Sequence, residues 1–261
     1  MNKQKVLEYI LPASALGIAL LAWEFVCWFN AIPPYILPSP SLILITLVQD
    51  WGILYGSLLV TLRITFEALV AAILGGVALA MLFAQSRIIE RAFFPFAVVM
   101  QVTPVIAIAP LLLIYLSQST AVLVCAFLVA FFPILSNTAL GLASADHNLI
   151  DLFQLYGAAR WQQLLWLRAP SALPYFLGGL RIGGGLALIG AIVAEIAAGS
   201  AGQGAGLAFR IIEAGFRLKI PRMFAALLLI SVAGIMIYLF LTAFSYLLLR
   251  RWHDSARGRE R

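Results

Sequence analysis

The chain has 261 residues, of which 63% are hydrophobic and 11% charged, with a formal net charge of +6. Soluble domains sit near ~45–50% apolar and ~25% charged, so a water-soluble core of this length cannot hide so much apolar surface behind so thin a charged shell. The composition excludes a soluble globular domain and defines an integral membrane protein, in which basic excess records topology rather than a nucleic-acid partner.

Met1–Lys5 followed by apolar sequence imitates a secretory signal. The apolar run to Phe29 exceeds the ~7–15 residues of a signal core and carries Trp23, Glu24 and Trp28, so Leu7–Phe29 reads as a retained first span. Pro33-Pro34 and the LPSPS run at Leu37–Ser41 form a rigid stretch ending in Ser41, an N-cap for a short interfacial helix over Ser41–Asp50. The second span is Ser57–Ala84.

From Ala92 to Ala145 the chain has no charged residue. One helix of that length, at ~1.5 Å per residue, overshoots a ~30 Å hydrocarbon core, so the chain must turn once. Ser117-Gln118-Ser119-Thr120 is the polar cluster that allows it, which predicts a tight hairpin of spans Phe93–Leu116 and Thr120–Leu142. A polar island, Asp151–Pro170, follows, then a fifth span, Leu180–Ala198. Gly199–Gly206 reads as a flexible break and Leu207–Lys219 as a surface helix. The sixth span is Met223–Leu249. The organisation expected is residues 1–56 as first span with external loop and interfacial helix, 57–252 as a five-helix core, and 253–261 as a basic tail.

With the N-terminus in the cytoplasm, six spans return the C-terminus there. Lys3, Lys5, Arg87, Arg91, Arg160, Arg168, Arg181 and the arginines from Arg250 onward then share the cytoplasmic side. Arg210, Arg217, Lys219 and Arg222 lie outside, and Arg63 lies near the outer end of span two. This bias places the island in the cytoplasm.

Cys27 and Cys125 lie far apart in apolar runs and read as packed thiols, and His147 and His253 are isolated, so no metal, cofactor or catalytic set is expected. GSAGQGAG at Gly199–Gly206 is followed by Leu207-Ala208, not by the Lys-Ser/Thr of a phosphate loop, so ATP hydrolysis is expected elsewhere. The intramembrane ionisable residues must face protein or water. Arg63 and Glu67, at i and i+4, predict an ion pair that orients span two. Glu195 reads either as a pathway or gate residue, or as a salt-bridge partner for another helix. Glycines crowd span five, Gly184 and Gly185 among them. They serve close packing, or place the span on a central axis where a pathway narrows. Pro104, Pro110 and Pro133 kink spans three and four, as packing devices or around a pathway that changes shape.

The island DLFQLYGAARWQQLLWLRAP resembles the EAA motif of the membrane permease subunits of bacterial ABC importers. Asp151 stands at the Glu position, Gly157 at the Gly, Leu167 at the Ile and Pro170 at the Pro, while Leu152, Phe153 and Ala169 depart from the pattern. LPSP at Leu37–Pro40, FFPILSNTALG at Phe131–Gly141, ALPYFLGGLRIG at Ala172–Gly183, and Glu195 before a glycine-rich turn are similar to the branch containing nitrate, sulfonate, taurine and thiamine-precursor permeases.

The resemblance implies a type I importer permease fold, all-α with six transmembrane helices, in the bacterial inner membrane. It implies a homodimer lying in lipid, an external solute-binding protein and a cytoplasmic ATPase. Asp151, Leu152, Phe153, Gly157, Ala158, Ala159, Arg160 and Pro170 would form the coupling segment. In it, a helix starting near Asp151 puts that carboxylate in its first turn, Gly157 permits a bend, and Pro170 ends the segment. The competing class is an ion-coupled secondary carrier or channel, which would need carboxylates in mid-membrane where this chain has almost none. The solute stays open among nitrate, sulfonates, bicarbonate-like anions and pyrimidine or thiamine precursors.

Overall fold

The computed structural model describes residues 3–199 and 205–250, with side chains from Ile10 onward. Over these residues the chain is all-helical: α1 (Lys3–Phe29), α2 (Pro40–Gln49), α3 (Trp51–Gln85), α4 (Arg87–Val102), α5 (Val105–Tyr115), α6 (Gln118–Ala143), α7 (His147–Leu155), α8 (Arg160–Gln163), α9 (Ala169–Ala198), α10 (Leu207–Phe216) and α11 (Ile220–Leu249). Five helices are long and apolar enough to cross a membrane, and the α4–α5 pair makes six if it is one span. The basic tail and part of the glycine-rich break lie outside the described residues.

The core is built on α6 and α9, with α3 packed on the outside of α6. Lipid tails are as apolar as leucine, so such helices are held by close van der Waals packing rather than by hydrophobic transfer. Glycine provides the closeness. A Cβ at Gly141 would sit 2.7 Å from Cα of Ala172, one at Gly190 2.9 Å from Cα of Ala126, and one at Gly179 2.8 Å from the carbonyl of Pro133. Against α3, Gly76 meets Ile134 in the same way. Ile134, Leu135 and Leu177 are fully buried between these helices.

Proline acts differently from site to site. Pro133 leaves α6 continuous, and Asn137 Nδ2 donates to its carbonyl at 2.8 Å. Pro110 likewise sits inside α5. Pro104 does more than kink: Thr103 turns extended, Pro104 starts α5, and the two helices meet at a bend of 100°. The expected kinked span Phe93–Leu116 is thus two helices meeting at this bend, a broken span or a re-entrant pair. The hairpin turn stands where the polar cluster lies, with the Ser117 and Thr120 hydroxyls 2.8 Å apart.

Other boundaries move for identifiable reasons. The N-cap of α2 is Ser39, not Ser41; Pro40 takes the first helical position, where its missing N–H costs nothing. The surface helix α10 ends at Phe216 because Leu218 adopts a positive φ of 55°. The fifth span begins far before Leu180: helix runs without interruption from Arg160 to Ala198. Pro170 therefore does not end the segment. Its ring has no N–H for the carbonyl of Trp166, and the helix widens there into a π-turn over Leu164–Arg168, with Ala169 N–H reaching back to Leu164 O.

Candidate coupling helix and transport pathway

The polar island folds into α7, a left-handed corner and the start of the long α8–α9 helix. Asp146 caps α7, its carboxylate accepting from Asn148 N–H at 2.9 Å. Asp151 therefore stands in the second turn and not the first, where it is exposed. Gly157 closes α7 at φ +68°, a conformation an L side chain adopts at a cost of ~1–2 kcal/mol. There Gly157 N–H donates to Gln154 O at 2.9 Å and Ala158 N–H to Phe153 O at 2.9 Å. Ala159 N–H then donates to the Gln162 side chain at 2.7 Å, which starts α8 at Arg160.

α7 has two faces. Leu152, Leu155 and Tyr156 project outward, the last two 85% and 83% exposed. His147, Ile150 and Gln154 face a cavity of about 990 Å³ between α7, α8 and the ends of α3 and α6. Exposed apolar side chains on a short helix between spans are a protein-docking pattern.

Glu195 is buried, 3% exposed, at the far end of α9. Its Oε1 accepts from the Thr61 hydroxyl at 2.8 Å and its Oε2 from Ala208 N–H at 3.1 Å. Thr61 Oγ1 in turn accepts from Leu207 N–H at 2.9 Å. The carboxylate thus serves the N-terminus of α10, where Gly206 has no side chain to cap with. Among the described residues Glu195 has no salt-bridge partner; α3 supplies a hydroxyl instead.

Glu24 repeats the device on α1. Its carboxylate accepts from Ser41 N–H at 2.9 Å and from the Ser41 hydroxyl at 2.7 Å, at the first turn of α2. At the other end of α2, Asp50 receives Arg222 in two bonds, Nη2 to Oδ1 at 2.7 Å, and so ties the α2–α3 corner to α11. Sequence reasoning missed Thr61, Ser41, Asp50 and Arg222 as partners, because 134, 17 and 172 positions separate the paired residues.

The glycine pair divides. A Cβ at Gly184 would lie 2.3 Å from Leu241 Cδ1, so this residue packs α11 against α9, whereas Gly185 has nothing within 4 Å. Gly185 shares an open face of α9 with Tyr175, Gly178, Ile182, Ile189 and Ile196, at alternating helical spacing. Arg63 and Glu67 form their ion pair at 2.7 Å, on an exposed face of α3 where Arg63 is 79% exposed. Cys27 and Cys125 are free and buried.

Residues 72–254 match the family described as binding-protein-dependent transport system inner membrane component, and the chain belongs to it. A probable ABC transporter permease protein of Haemophilus influenzae is 32% identical over 89% of this chain and 94% of its own. The riboflavin transport system permease protein RibX of Chloroflexus aurantiacus is 33% identical over 94% and 90%. The formylaminopyrimidine transport permease protein ThiX of Halalkalibacterium halodurans is 36% identical over 78% and 80%. Permeases named for aliphatic sulfonates, taurine and nitrate are also relatives, as the resemblance implied. The fold is that of a solved amino acid ABC transporter, with a TM-score of 0.62 and 18% identity over 79% of this chain and 97% of that one. The chain is the non-catalytic, multi-pass permease component of an ABC importer, whose ATPase is a separate subunit.

Proposed function

We propose that two copies of this chain face each other across α9 and enclose the pathway for a small solute, delivered by an external binding protein. The observation that carries this reading is the open face of α9. Tyr175, Ile182 and Ile189 are about half exposed on this face, and a Cβ at Gly178 or Gly185 would meet nothing within 4 Å, although the rest of α9 is closely packed. The Arg63–Glu67 pair supports it independently. It lies about 18 Å in from the start of α3, and an exposed guanidinium there needs protein or a water-filled path beside it, not lipid.

In this arrangement Asp151, Leu152, Phe153 and the corner Gly157–Arg160 seat against the cytoplasmic ATPase. The uninterrupted helix from Arg160 to Ala198, with Pro170 inside it, carries the stroke to α9. Both termini lie in the cytoplasm of a bacterial cell, on the side the basic bias assigns. α5, which follows the bend at Pro104 and carries Pro110, and α6, which carries Pro133, flank the pathway, and Glu195 holds its outer end shut by anchoring α10. The outward leucines and isoleucines of α1 and α11 lie in lipid. For the solute, the names of RibX and ThiX favour a nitrogen heterocycle, and the apolar, aromatic open face of α9 is compatible with one.

The test uses the absence of other reachable thiols, since both native cysteines are buried. Gly185→Cys and Ile182→Cys in native membranes should form disulfide-linked dimers under mild oxidation with copper phenanthroline and oxygen. Leu227→Cys, exposed on α11, should not. Linkage through position 227 and not 182 or 185 overturns the arrangement.

A further inference from the structure

The cavity beneath α7 gathers basic side chains of which only Arg160 belongs to the proposed docking corner. Three arginines reach it from three separate elements: Arg87 from the first turn of α4, Arg160 from the start of α8 and Arg168 from the end of the π-turn. Glu90 is the single carboxylate in the lining. None of the three arginines enters a salt bridge among the described residues, as is also true of Arg91, Arg181 and Arg250. Arg168 Nη1 has one long bond, 3.4 Å to Ala84 O. A guanidinium carries five N–H donors, so most of the donor capacity converging here is unused. Like charges gathered in one cavity repel, and an oxyanion between them would remove that cost.

The location narrows the anion. The lining includes the last residues of α3 and α6, so the cavity opens where two spans end, whichever side of the membrane that is. Trp161 and Trp166 stand exposed along the adjoining helix, and Ile88 on the rim is 81% exposed. Exposed indoles at a span end mark the headgroup level of a bilayer, and basic pockets between helices at that level hold anionic lipid headgroups. At about 990 Å³ the cavity also exceeds what a bare phosphate would fill.

We propose that this cavity is a phosphate site filled by the headgroup of an anionic phospholipid, with Arg87, Arg160 and Arg168 as its ligands. The bound phosphodiester ties the α3–α4 corner to α8, so that the start of the long α8–α9 helix is held at the membrane surface. The proposal stands on the cavity and its charges and does not require α7 to be the coupling helix.

The experiment uses the full chain, alone and with its ATPase subunit, in nanodiscs of phosphatidylcholine with or without phosphatidylglycerol. Retained lipid is counted by native mass spectrometry after detergent exchange. Phosphatidylglycerol should be retained over phosphatidylcholine. R87Q/R168Q should lower that retention about thirtyfold, the effect of two interfacial arginines on an anionic lipid. R87K/R168K should keep most of it, and R217Q, on the opposite side, should keep all of it. Should R87Q/R168Q not fold, R87Q alone should still lower retention. Millimolar inorganic phosphate should compete with the lipid. Equal retention of both lipids, or equal loss in R217Q, overturns the proposal. So does arginine-dependent binding of inorganic phosphate without any phosphatidylglycerol preference, which would make the ligand a soluble anion.

Discussion

The carboxylate of Glu195, on α9, accepts a 2.8 Å hydrogen bond from the hydroxyl of Thr61, on α3, and together they receive the first two backbone N–H groups of α10. Three helices are thereby locked by one carboxylate and one hydroxyl. Gly206 belongs to the same lock, since a Cβ there would fall 2.1 Å from Glu195 Oε1.

Thr61→Val removes the hydroxyl and leaves both Leu207 N–H and one carboxylate oxygen without a partner. Interhelical hydrogen bonds in membranes contribute about 0.6 to 1.7 kcal/mol, and the orphaned groups put this variant at the upper end. Gly206→Ala should cost at least as much although its backbone, at φ −77°, accepts alanine freely. The signature is non-additivity. In a Glu195→Ala background, Gly206→Ala should be nearly neutral, because the atoms it strikes are gone. Unfolding midpoints of the four proteins in one detergent measure the cycle, and strictly additive losses would sink the lock.

Asp50 and Arg222 offer a second, charge-assisted tie, partly buried at 20% and 14% of side-chain exposure. Arg222→Lys keeps the charge and loses the fork, so it should retain roughly half of the stabilisation, whereas Arg222→Ala should lose all of it. Hydrogen bonds to charged groups contribute about 1.5–3 kcal/mol, which sets the scale of the Ala variant. Equal midpoints for the Lys and Ala variants would show that the paired geometry contributes nothing.

On α10, Glu213 is held below the usual carboxylate range, first by the hydrogen bond from Arg210 and then by the charges of Arg210, Arg217 and Arg222, against the opposing effect of burial. A folded-state value below the unfolded one means stability that is present above the ordinary carboxylate pKa. It is lost as pH falls through the lowered one. Glu213→Gln should therefore destabilise at pH 7, and the gap to the parent should close below roughly pH 4. Thermal midpoints from pH 3 to 8 in moderate salt check this; a gap that widens on acidification has the wrong sign.

Much of this protein was legible because the membrane permits few solutions. Apolar length placed α1, α3, α6 and α11, and the serine-threonine cluster marked the hairpin turn. What escaped has a physical reason in each case. Pro104 and Pro133 look alike in sequence, yet one stands at a 100° break and the other inside a continuous helix, where α3 and α9 pack closely against α6. The start of α9 was hidden because a π-turn absorbs the defect of Pro170, so a residue that reads as a stop is passed over. Glu195 showed as a buried charge in need of a partner, but nothing local pointed to Thr61 or to the backbone of α10.

Gly157→Ala places a methyl in open space, so any cost comes from the backbone alone, about 1–2 kcal/mol for a left-handed residue. Asn tolerates that conformation and should cost less, while a β-branched Val should cost more. If α7 couples ATP hydrolysis to movement of α9, Gly157→Val should remain in the membrane and bind its ATPase, yet lose solute-stimulated ATP hydrolysis and uptake together. Gly157→Asn should keep most of both. Normal uptake by the Val variant would remove this corner from the coupling path.

Gly185 gives the sharpest separation between one copy and two. Within a single chain a Cβ at this position meets nothing within 4 Å, whereas one at Gly141 would strike the backbone of Ala172. Gly141→Ala must therefore destabilise the chain itself, because neither backbone can move without opening the α6–α9 interface. Gly185→Ala is neutral for an isolated chain, and a larger Gly185→Leu remains so. If a second copy approaches across α9, Gly185→Leu should instead weaken dimerisation and slow transport while the helical content and the monomer's thermal midpoint stay unchanged. Analytical ultracentrifugation in detergent, paired with uptake in vesicles, reads both. A Gly185→Leu variant that dimerises and transports like its parent would place the symmetry axis on another helix.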